Sequence, residues 1–130
     1  MSPSAEEPPI SNLTADFDPA CGTIRIRGEG FWSLAQVKSF TEDFKALTST
    51  VRAQTGPLRV LLDTLNMPPQ SLEVIAFLDA ETSKLYYEGD RVAIILNSTL
   101  LKLQAQRMTQ STFEQRVFGN AEAAKAWLNP

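Results

Sequence analysis

Two short apolar runs stand out in the pattern of hydrophobic and polar residues along this chain. Residues 58–63 are LRVLLD and residues 91–96 are RVAIIL, without the alternation that a half-exposed strand shows. Runs of this length are typical of strands buried on both faces of a parallel sheet. A Gly-Pro pair precedes the first run and a Pro-Pro pair follows it at a short distance, and such pairs interrupt regular structure. We therefore expect the two runs to be neighbouring central strands.

An amphipathic helix is predicted before the first of these runs. Apolar residues recur every three or four positions over residues 34–51, which is the spacing of one helical face. Ser33 and Gln36 form a capping box, in which each side chain bonds to the backbone of the other residue. Trp32 and Val37 are placed as the hydrophobic staple that accompanies such a cap.

A second helix is predicted between the two runs, over residues 72–85, with Ser71 as a candidate cap. Its apolar stripe includes Leu72 and Leu85 and is broadened by further apolar side chains. This helix is therefore expected to be more buried than the first one. Gly89 is expected to follow its end as the left-handed residue that commonly terminates a helix.

A β-hairpin is predicted before the first helix. Residues 10–17 contain spaced apolar side chains, residues 23–28 alternate isoleucine and arginine, and the segment between them is rich in turn-forming residues. Residues 1–9, with three prolines, are expected to form a loose tail. Gly28 and Gly30 lack the third glycine of a dinucleotide-binding loop, so we expect them to mark the exit of the strand.

The last part of the chain is predicted to contain a short helix near residues 100–110, an edge-like strand over residues 113–118 and an alanine-rich helix over residues 121–128 with Asn120 as its cap. The complete order is then ββαβαβαβα. Right-handed crossovers make this an α/β fold with a mostly parallel, mixed sheet of about five strands, one antiparallel edge strand and about four helices. Residues 10–130 are expected to form a single domain.

The charge balance excludes some classes of partner. The chain of 130 residues carries 12 Lys and Arg against 15 Asp and Glu, and no basic cluster of the kind that nucleic-acid binding requires stands out. No segment approaches the ~20 apolar residues of a membrane span. Glu6 and Glu7 lie where a signal peptide would need an apolar core. We expect a cytoplasmic protein that binds no nucleic acid and is not integral to a membrane.

Residues that commonly carry out catalysis are few. Histidine is absent and Cys21 is the single cysteine, which excludes histidine-dependent triads, cysteine-based metal sites and an internal disulfide. The nearest carboxylate pairs, Asp79 with Glu81 and Glu88 with Asp90, have a spacing of two residues, which does not bring side chains together on a helix. We expect no metal, no cofactor and no enzymatic activity.

The predicted order of elements resembles the STAS domain, the fold of anti-sigma-factor antagonists, and in particular its SpoIIAA-like branch. The resemblance rests on VLLD at residues 60–63, VAII at residues 92–95 and the ending VFGNAEAAKAWL at residues 117–128. It implies a bacterial regulatory or binding module without catalysis, which acts on a protein partner or a small ligand.

Antagonists of this family carry a phosphorylatable serine in an Asp-Ser-Ser-Gly-like stretch, where the helix after the central strand begins. Residues 66–73 are NMPPQSLE, in which Ser71 lies close to that position without the flanking Asp and Gly. A phosphate there would be favoured by the helix N-terminus. The resemblance makes Ser71 a candidate phosphorylation site, and a plain helix cap is the alternative.

The binding surface is predicted at the rim formed by the carboxyl ends of the parallel strands, where open α/β sheets bind their ligands. The polar residues expected there, for a small ligand or a partner loop, are Asp63, Thr64, Asn66, Asn97, Ser98, Thr99 and Asn120. Each of them can instead serve as a helix cap or a turn residue.

Binding of a lipid or another hydrophobic small molecule is the alternative function, because relatives in this branch resemble lipid-transfer folds in outline. The aromatic side chains expected to line a groove between the helices are Phe31, Trp32, Phe40, Tyr86 and Tyr87. These side chains can instead fill the core. A homodimer, formed through the edge strand or the tyrosine pair, is a further expectation.

Overall fold

Five strands and three helices make up the part of the chain that the structure describes. The computed structural model describes residues 12–64, 68–96 and 113–129. In chain order the elements are β1 (Asn12–Asp18), β2 (Thr23–Glu29), α1 (Leu34–Thr55), β3 (Arg59–Asp63), α2 (Leu72–Leu85), β4 (Arg91–Ile95), β5 (Glu114–Phe118) and α3 (Ala121–Leu128).

The strands form one mixed sheet in the order β1-β2-β3-β4-β5. β1 is an edge strand and pairs antiparallel with β2, whereas all other pairs are parallel. In the register of β3 and β4, Val60 lies beside Val92 and Leu62 lies beside Ile94. The prediction that the two apolar runs are neighbouring strands inside a mixed sheet is therefore confirmed.

The helix predicted near residues 100–110 lies outside the described residues. The described elements follow the order ββαβαββα, so the predicted order with four helices is not matched. The predicted last strand and alanine-rich helix are present as β5 and α3. The coarser prediction, an α/β fold with a mixed sheet of five strands, is confirmed.

The two faces of the sheet are covered by different helices, because successive side chains of a strand point to opposite faces. Val60, Val92 and Ile94 pack with side chains of α1 on what we call the helix-pair face, since α1 and α2 both lie there. Ala93 and Ile95 pack against α3 on the opposite face, which we call the α3 face.

The helix pair corrects one prediction, because α1 is more buried than α2. The buried residues of α1 are Val37, Thr41, Phe44, Thr48 and Val51. Only Val74 of α2 is buried, and Leu72, which was placed on the apolar stripe, is 80% exposed. The reason is that α2 packs mainly on α1, so most of its apolar stripe is not pressed onto the sheet.

The end of α2 also differs from the prediction. The helix is capped by Ser71 at its start, as expected, but its C-cap is Tyr86 in an extended conformation. Gly89 lies in the turn before β4 with a φ of 97°, a conformation that glycine adopts without strain. The glycine therefore shapes the turn into the next strand and does not end the helix.

Asp90 ties the helix pair to the sheet at the amino ends of the parallel strands. Its carboxylate has no exposed surface and accepts hydrogen bonds from Arg52 Nη1 and Nη2 at 2.9 and 2.8 Å. It also accepts from the backbone N–H groups of Leu58 at 2.7 Å and Tyr87 at 2.8 Å. Burial alone would raise the pKa of Asp90, but these donors together lower it below its ordinary value.

Candidate binding cavity

A cavity of about 150 Å³ lies between the helix pair and the sheet. Apolar side chains from both layers line it, among them Leu62 and Ile94 of the sheet, Phe40 of α1, and Ile75 and Leu78 of α2. Among the described lining residues there is no lysine or arginine. The cavity is thus a space of mostly apolar character inside the helix-pair face.

Gln70 closes the rim side of this face. Its buried side chain accepts a hydrogen bond from the Trp32 backbone N–H at 2.9 Å and donates to the carbonyl oxygens of Gly30 at 3.0 Å and Pro68 at 2.8 Å. All of its bonds go to backbone groups of the two segments that precede α1 and α2. The side chain therefore holds these segments together where the helices begin.

Trp32 forms the next part of the wall, and Gly28 provides its space. The indole Nε1 donates to the carbonyl oxygens of Asn12 at 3.1 Å and Glu29 at 3.2 Å. A Cβ atom at Gly28 would lie 2.4 Å from Cζ2 of this indole ring, far inside van der Waals contact. At the predicted strand exit, the Trp32 ring thus lies close to the backbone of β2. Gly30 follows with a φ of 79°.

An ion-pair cluster bridges α1 and α2 beside the cavity. Lys45 Nζ lies 2.9 Å from Glu81 Oε1, Lys84 Nζ lies 3.4 Å from Glu81 Oε2, and Lys45 Nζ lies 3.8 Å from Glu42 Oε1. The hydrogen bond between Lys45 and Glu81 raises the pKa of Lys45 and lowers that of Glu81. Glu81 also lines the cavity, so this wall carries a negative charge that is paired with the two lysines.

Tyr86 lies at the end of α2 and belongs to the cavity lining. Its ring stacks at an angle on Phe113, with centroids 4.9 Å apart, and meets Phe44 edge-on at 6.4 Å. Burial, together with the negative charge of Asp90, raises the pKa of the Tyr86 phenol strongly, although Arg52 opposes the shift. The hydroxyl group therefore stays protonated across the ordinary pH range.

The rim residues predicted from the sequence are only partly described. Asn66, Asn97, Ser98 and Thr99 lie outside the described residues. Asp63 is half-buried at the end of β3. Thr64 is buried, lines the cavity and donates its hydroxyl to the Ile95 carbonyl oxygen at 2.8 Å. Its hydroxyl hydrogen therefore extends the pairing of β3 with β4 and is not offered to the solvent.

Ser71 and Asn120, the two residues predicted as possible helix caps at the rim, act as caps. Ser71 Oγ accepts from the Val74 N–H at 3.3 Å, and Asn120 Oδ1 accepts from the Ala123 N–H at 2.9 Å. A cap is the structural role of Ser71, and its phosphorylation stays a prediction. Its place at the N-terminus of α2 is where a phosphate would be favoured.

The aromatic residues proposed for a groove divide into two groups. Trp32, Phe40 and Tyr86 line the cavity, whereas Phe31 and Tyr87 are 55% and 56% exposed and are absent from its described lining. Three of the five side chains thus lie together around a cavity, and the alternative function itself stays a prediction.

Gln70 and Gln115 are wall residues that the sequence analysis did not identify. For Gln115 a signal was present, because it lies between Phe113 and Val117 on the same, apolar face of the last strand. A polar residue at such a position marks either a paired group or a place where the core is incomplete. Gln70 carried no comparable signal, since its bonds join segments 38 and 40 residues apart.

The described part of the chain contains neither a cluster of metal-binding side chains nor a membrane-spanning helix. Within residues 12–64, 68–96 and 113–129, no three His, Cys, Asp or Glu side chains come together as a metal site. No helix in the same ranges combines the length and the apolar composition that crossing a membrane requires.

The fold itself resembles a known one. The chain matches the crystal structure of an uncharacterized protein of the DUF3478 family with a SpoIIAA-like fold from Shewanella loihica PV-4, with a TM-score of 0.67 and 18% sequence identity. The match covers 94% of this chain and 98% of that chain. No family model and no curated protein matches the sequence. The resemblance to the SpoIIAA-like branch is therefore confirmed at the level of the fold.

Proposed function

We propose that this protein is a non-catalytic binding module that takes a small apolar ligand into the cavity of its helix-pair face. The observation that carries the proposal is the apolar cavity of about 150 Å³ behind Phe40 and Leu78. A SpoIIAA-like fold is compatible with a binding or regulatory role, and the site must supply the rest of the argument.

The size of the cavity limits the ligand. Drug-sized ligands occupy pockets of roughly 300–1,000 Å³, which is larger than this space. An engineered apolar cavity of about 150 Å³ stays dry and binds benzene. We therefore propose a ligand, or the apolar part of one, about as large as a single six-membered ring with a short substituent, and not a whole lipid.

The proposal is tested by filling the cavity. Thr82 lies on α2, is half-buried and lines the cavity, so Thr82→Phe should place a ring in the space that the ligand would use. We expect benzene and toluene to raise the melting temperature of the wild-type protein and to shift amide signals of residues around the cavity. Thr82→Phe should lose both responses.

Ser83→Phe is the matched control, because Ser83 is the next residue on the same helix and is exposed. It should keep both responses to benzene and toluene. If the wild-type protein gives neither response, or if Thr82→Phe responds as strongly as Ser83→Phe, the cavity is not a ligand site and the proposal is wrong.

A protein partner at the rim is a second proposed function. It is supported by Phe31 and Leu72, which are large apolar side chains with 55% and 80% exposure on the two segments that Gln70 joins. Exposed apolar surface of this kind often marks a contact site. Leu72→Ser should abolish capture of a partner from a bacterial lysate. Equal capture by wild type and Leu72→Ser would count against this surface.

A further inference from the structure

Tyr86 and Gln115 are two of the polar side chains in the cavity wall that lack a hydrogen-bond partner within the described part of the chain. Tyr86 is 7% exposed and lines the cavity, yet its hydroxyl takes part in none of the hydrogen bonds made by the described residues. The side-chain amide of Gln115, which is half-buried in the same wall, is likewise unpaired there. Buried polar side chains are nearly always paired in proteins, so the unpaired Tyr86 hydroxyl calls for an explanation.

The two groups lie on the same side of the cavity. The Tyr86 ring packs on Phe113 with a centroid distance of 4.9 Å. Phe113 and Gln115 are two residues apart at the start of β5, and residues with this spacing point to the same face of a sheet. The Tyr86 ring and the Gln115 side chain therefore line the same side of a mostly apolar space.

The chemistry of this wall selects the polar part of a ligand. The Tyr86 phenol is protonated, because burial raises its pKa, so it can donate a hydrogen bond, and the Gln115 amide supplies two more donor hydrogens. Glu81 is the single charged side chain among the described lining residues, and it is paired with Lys45 and Lys84. No unpaired cation is present in that lining to balance a carboxylate or phosphate on the ligand.

We infer that the ligand is a neutral molecule with an apolar body of about one ring and a carbonyl oxygen, which accepts hydrogen bonds from the Tyr86 hydroxyl and the Gln115 amide. This inference rests on the proposed function, since it names the ligand class for the same cavity. Pairing with the ligand would satisfy a buried donor that is otherwise left without a partner, which is where a hydrogen bond discriminates most strongly.

The test compares two ligands of nearly the same shape. Acetophenone carries the carbonyl oxygen, and in cumene a methyl group takes the place of that oxygen. Both are titrated into the wild-type protein by calorimetry, and each dissociation constant is multiplied by the water-to-alkane partition coefficient of the ligand. We expect a preference of about fivefold to tenfold for acetophenone, the size expected of one or two hydrogen bonds.

Tyr86→Phe should remove most of this preference and leave the affinity for cumene unchanged or higher. The variant should fold, because it removes a hydroxyl that is unpaired among the described residues, and its melting curve checks this. Gln115→Leu should reduce the preference by a smaller factor, since its half-buried amide can also bond to water. Tyr87→Phe is the matched control, because this neighbouring tyrosine is exposed, and it should keep the full preference.

The possible outcomes separate the two proposals. If neither ligand binds the wild-type protein, the cavity proposal itself fails. If both ligands bind the wild type with equal corrected affinity, or if Tyr86→Phe keeps the preference for acetophenone, the cavity proposal stands and the inference about the carbonyl group is wrong.

Discussion

The two faces of the sheet are built from the same strands but are packed differently. On the α3 face, Ala93 meets Ala124, and neither has exposed surface. On the helix-pair face, branched and aromatic side chains such as Phe44 and Ile94 surround a cavity. Small residues let a helix approach the sheet closely, whereas large side chains hold the layers apart and leave space if their shapes do not interlock.

This difference indicates a division of roles between the faces. The α3 face is closed by Leu128 and by Trp127, whose ring lies 5.7 Å from that of Phe118 and has the guanidinium groups of Arg91 and Arg116 within 5.2 and 5.5 Å. Its buried side chains pack together in one cluster. The helix-pair face keeps an unfilled volume, which is destabilising unless something occupies it. The predictions below test this contrast, in order of decreasing effect.

The largest effect is expected from Asp90→Ala, which should loosen the helix-pair face as a whole. The substitution leaves the Arg52 guanidinium and two backbone N–H groups without their shared acceptor. Loss of one partner of a buried ion pair costs about 3–5 kcal/mol, and we expect about 3 kcal/mol because Arg52 is partly exposed. Urea unfolding measures the loss. Glu88→Ala, at an exposed position in the same turn, should change stability by less than about 0.5 kcal/mol.

The effect of Asp90→Ala on stability should depend on pH. The pKa of Asp90 is lower in the folded protein than in the unfolded chain, so its contribution is complete above the unfolded pKa of about 3.9. It is lost as the pH falls through the folded-state pKa. The stability difference between wild type and Asp90→Ala should therefore be constant near neutral pH and shrink below about pH 4. A difference that grows on acidification would contradict this assignment.

The second prediction compares adjacent residues of β4 that point to opposite faces. Ala93→Val adds two methyl groups to the tightly packed α3 face, where overpacking should cost about 2 kcal/mol. Val92→Ile adds one methyl group beside the cavity, where space is available, and should change stability by less than about 0.5 kcal/mol. Equal destabilisation of the two variants by urea unfolding would remove the contrast between the faces.

The third prediction concerns the wall formed by Trp32. Gly28→Ala places a Cβ atom against the indole ring, which is buried and held by two backbone carbonyl groups. The resulting strain is partly offset by the reduced entropy of the unfolded chain, and we expect a net loss of about 1 kcal/mol together with a shift of the tryptophan fluorescence.

Gly119→Ala is the control for this substitution. A Cβ atom at Gly119 meets no atom within 4 Å, and the residue lies between β5 and α3, separated in the sheet from β2 by β3 and β4. It should leave stability and fluorescence nearly unchanged. If Gly28→Ala behaves in the same way, the close contact between Trp32 and β2 does not matter for the wall.

The smallest effect is expected from Glu81→Gln, which removes the ion pair with Lys45 that joins α1 and α2 and the ion pair with Lys84 within α2. These pairs lie near the surface and are screened by solvent, so the melting temperature should fall only slightly. The decrease should be visible at low ionic strength and vanish at high ionic strength. A large decrease that persists in high salt would mean that the bridge, and not apolar packing, holds the helix pair together.

Much of this fold could be predicted because its local signals agree with one another. The apolar runs that became β3 and β4, the capping serine at Ser33 and the alanine-rich ending all specify elements within a few residues of where they occur. A fold can be predicted from its sequence when propensity, capping and hydrophobic pattern agree in this way.

The size of the cavity and most of its lining could not be predicted, because they depend on distances between elements that are far apart in the chain. Whether Leu78 touches the sheet is decided by how Phe40 and Phe44 space α1 from the strands, and periodicity carries no information about that spacing. The exposure of Leu72 has the same origin, since α2 packs mainly on α1 and not on the sheet. Long-range polar contacts such as those of Gln70 and Asp90 are equally invisible to local pattern.

The order of the strands has a consequence for how this protein is assembled. Because neighbouring strands in the sheet are also consecutive in the chain, each strand pairs with the exposed edge of the strand before it. Among the five described strands, none has to be inserted between two that are already paired. A chain emerging from the ribosome can therefore enlarge the sheet in one direction only, and the α3 face is completed last, after the helix-pair face has been laid down.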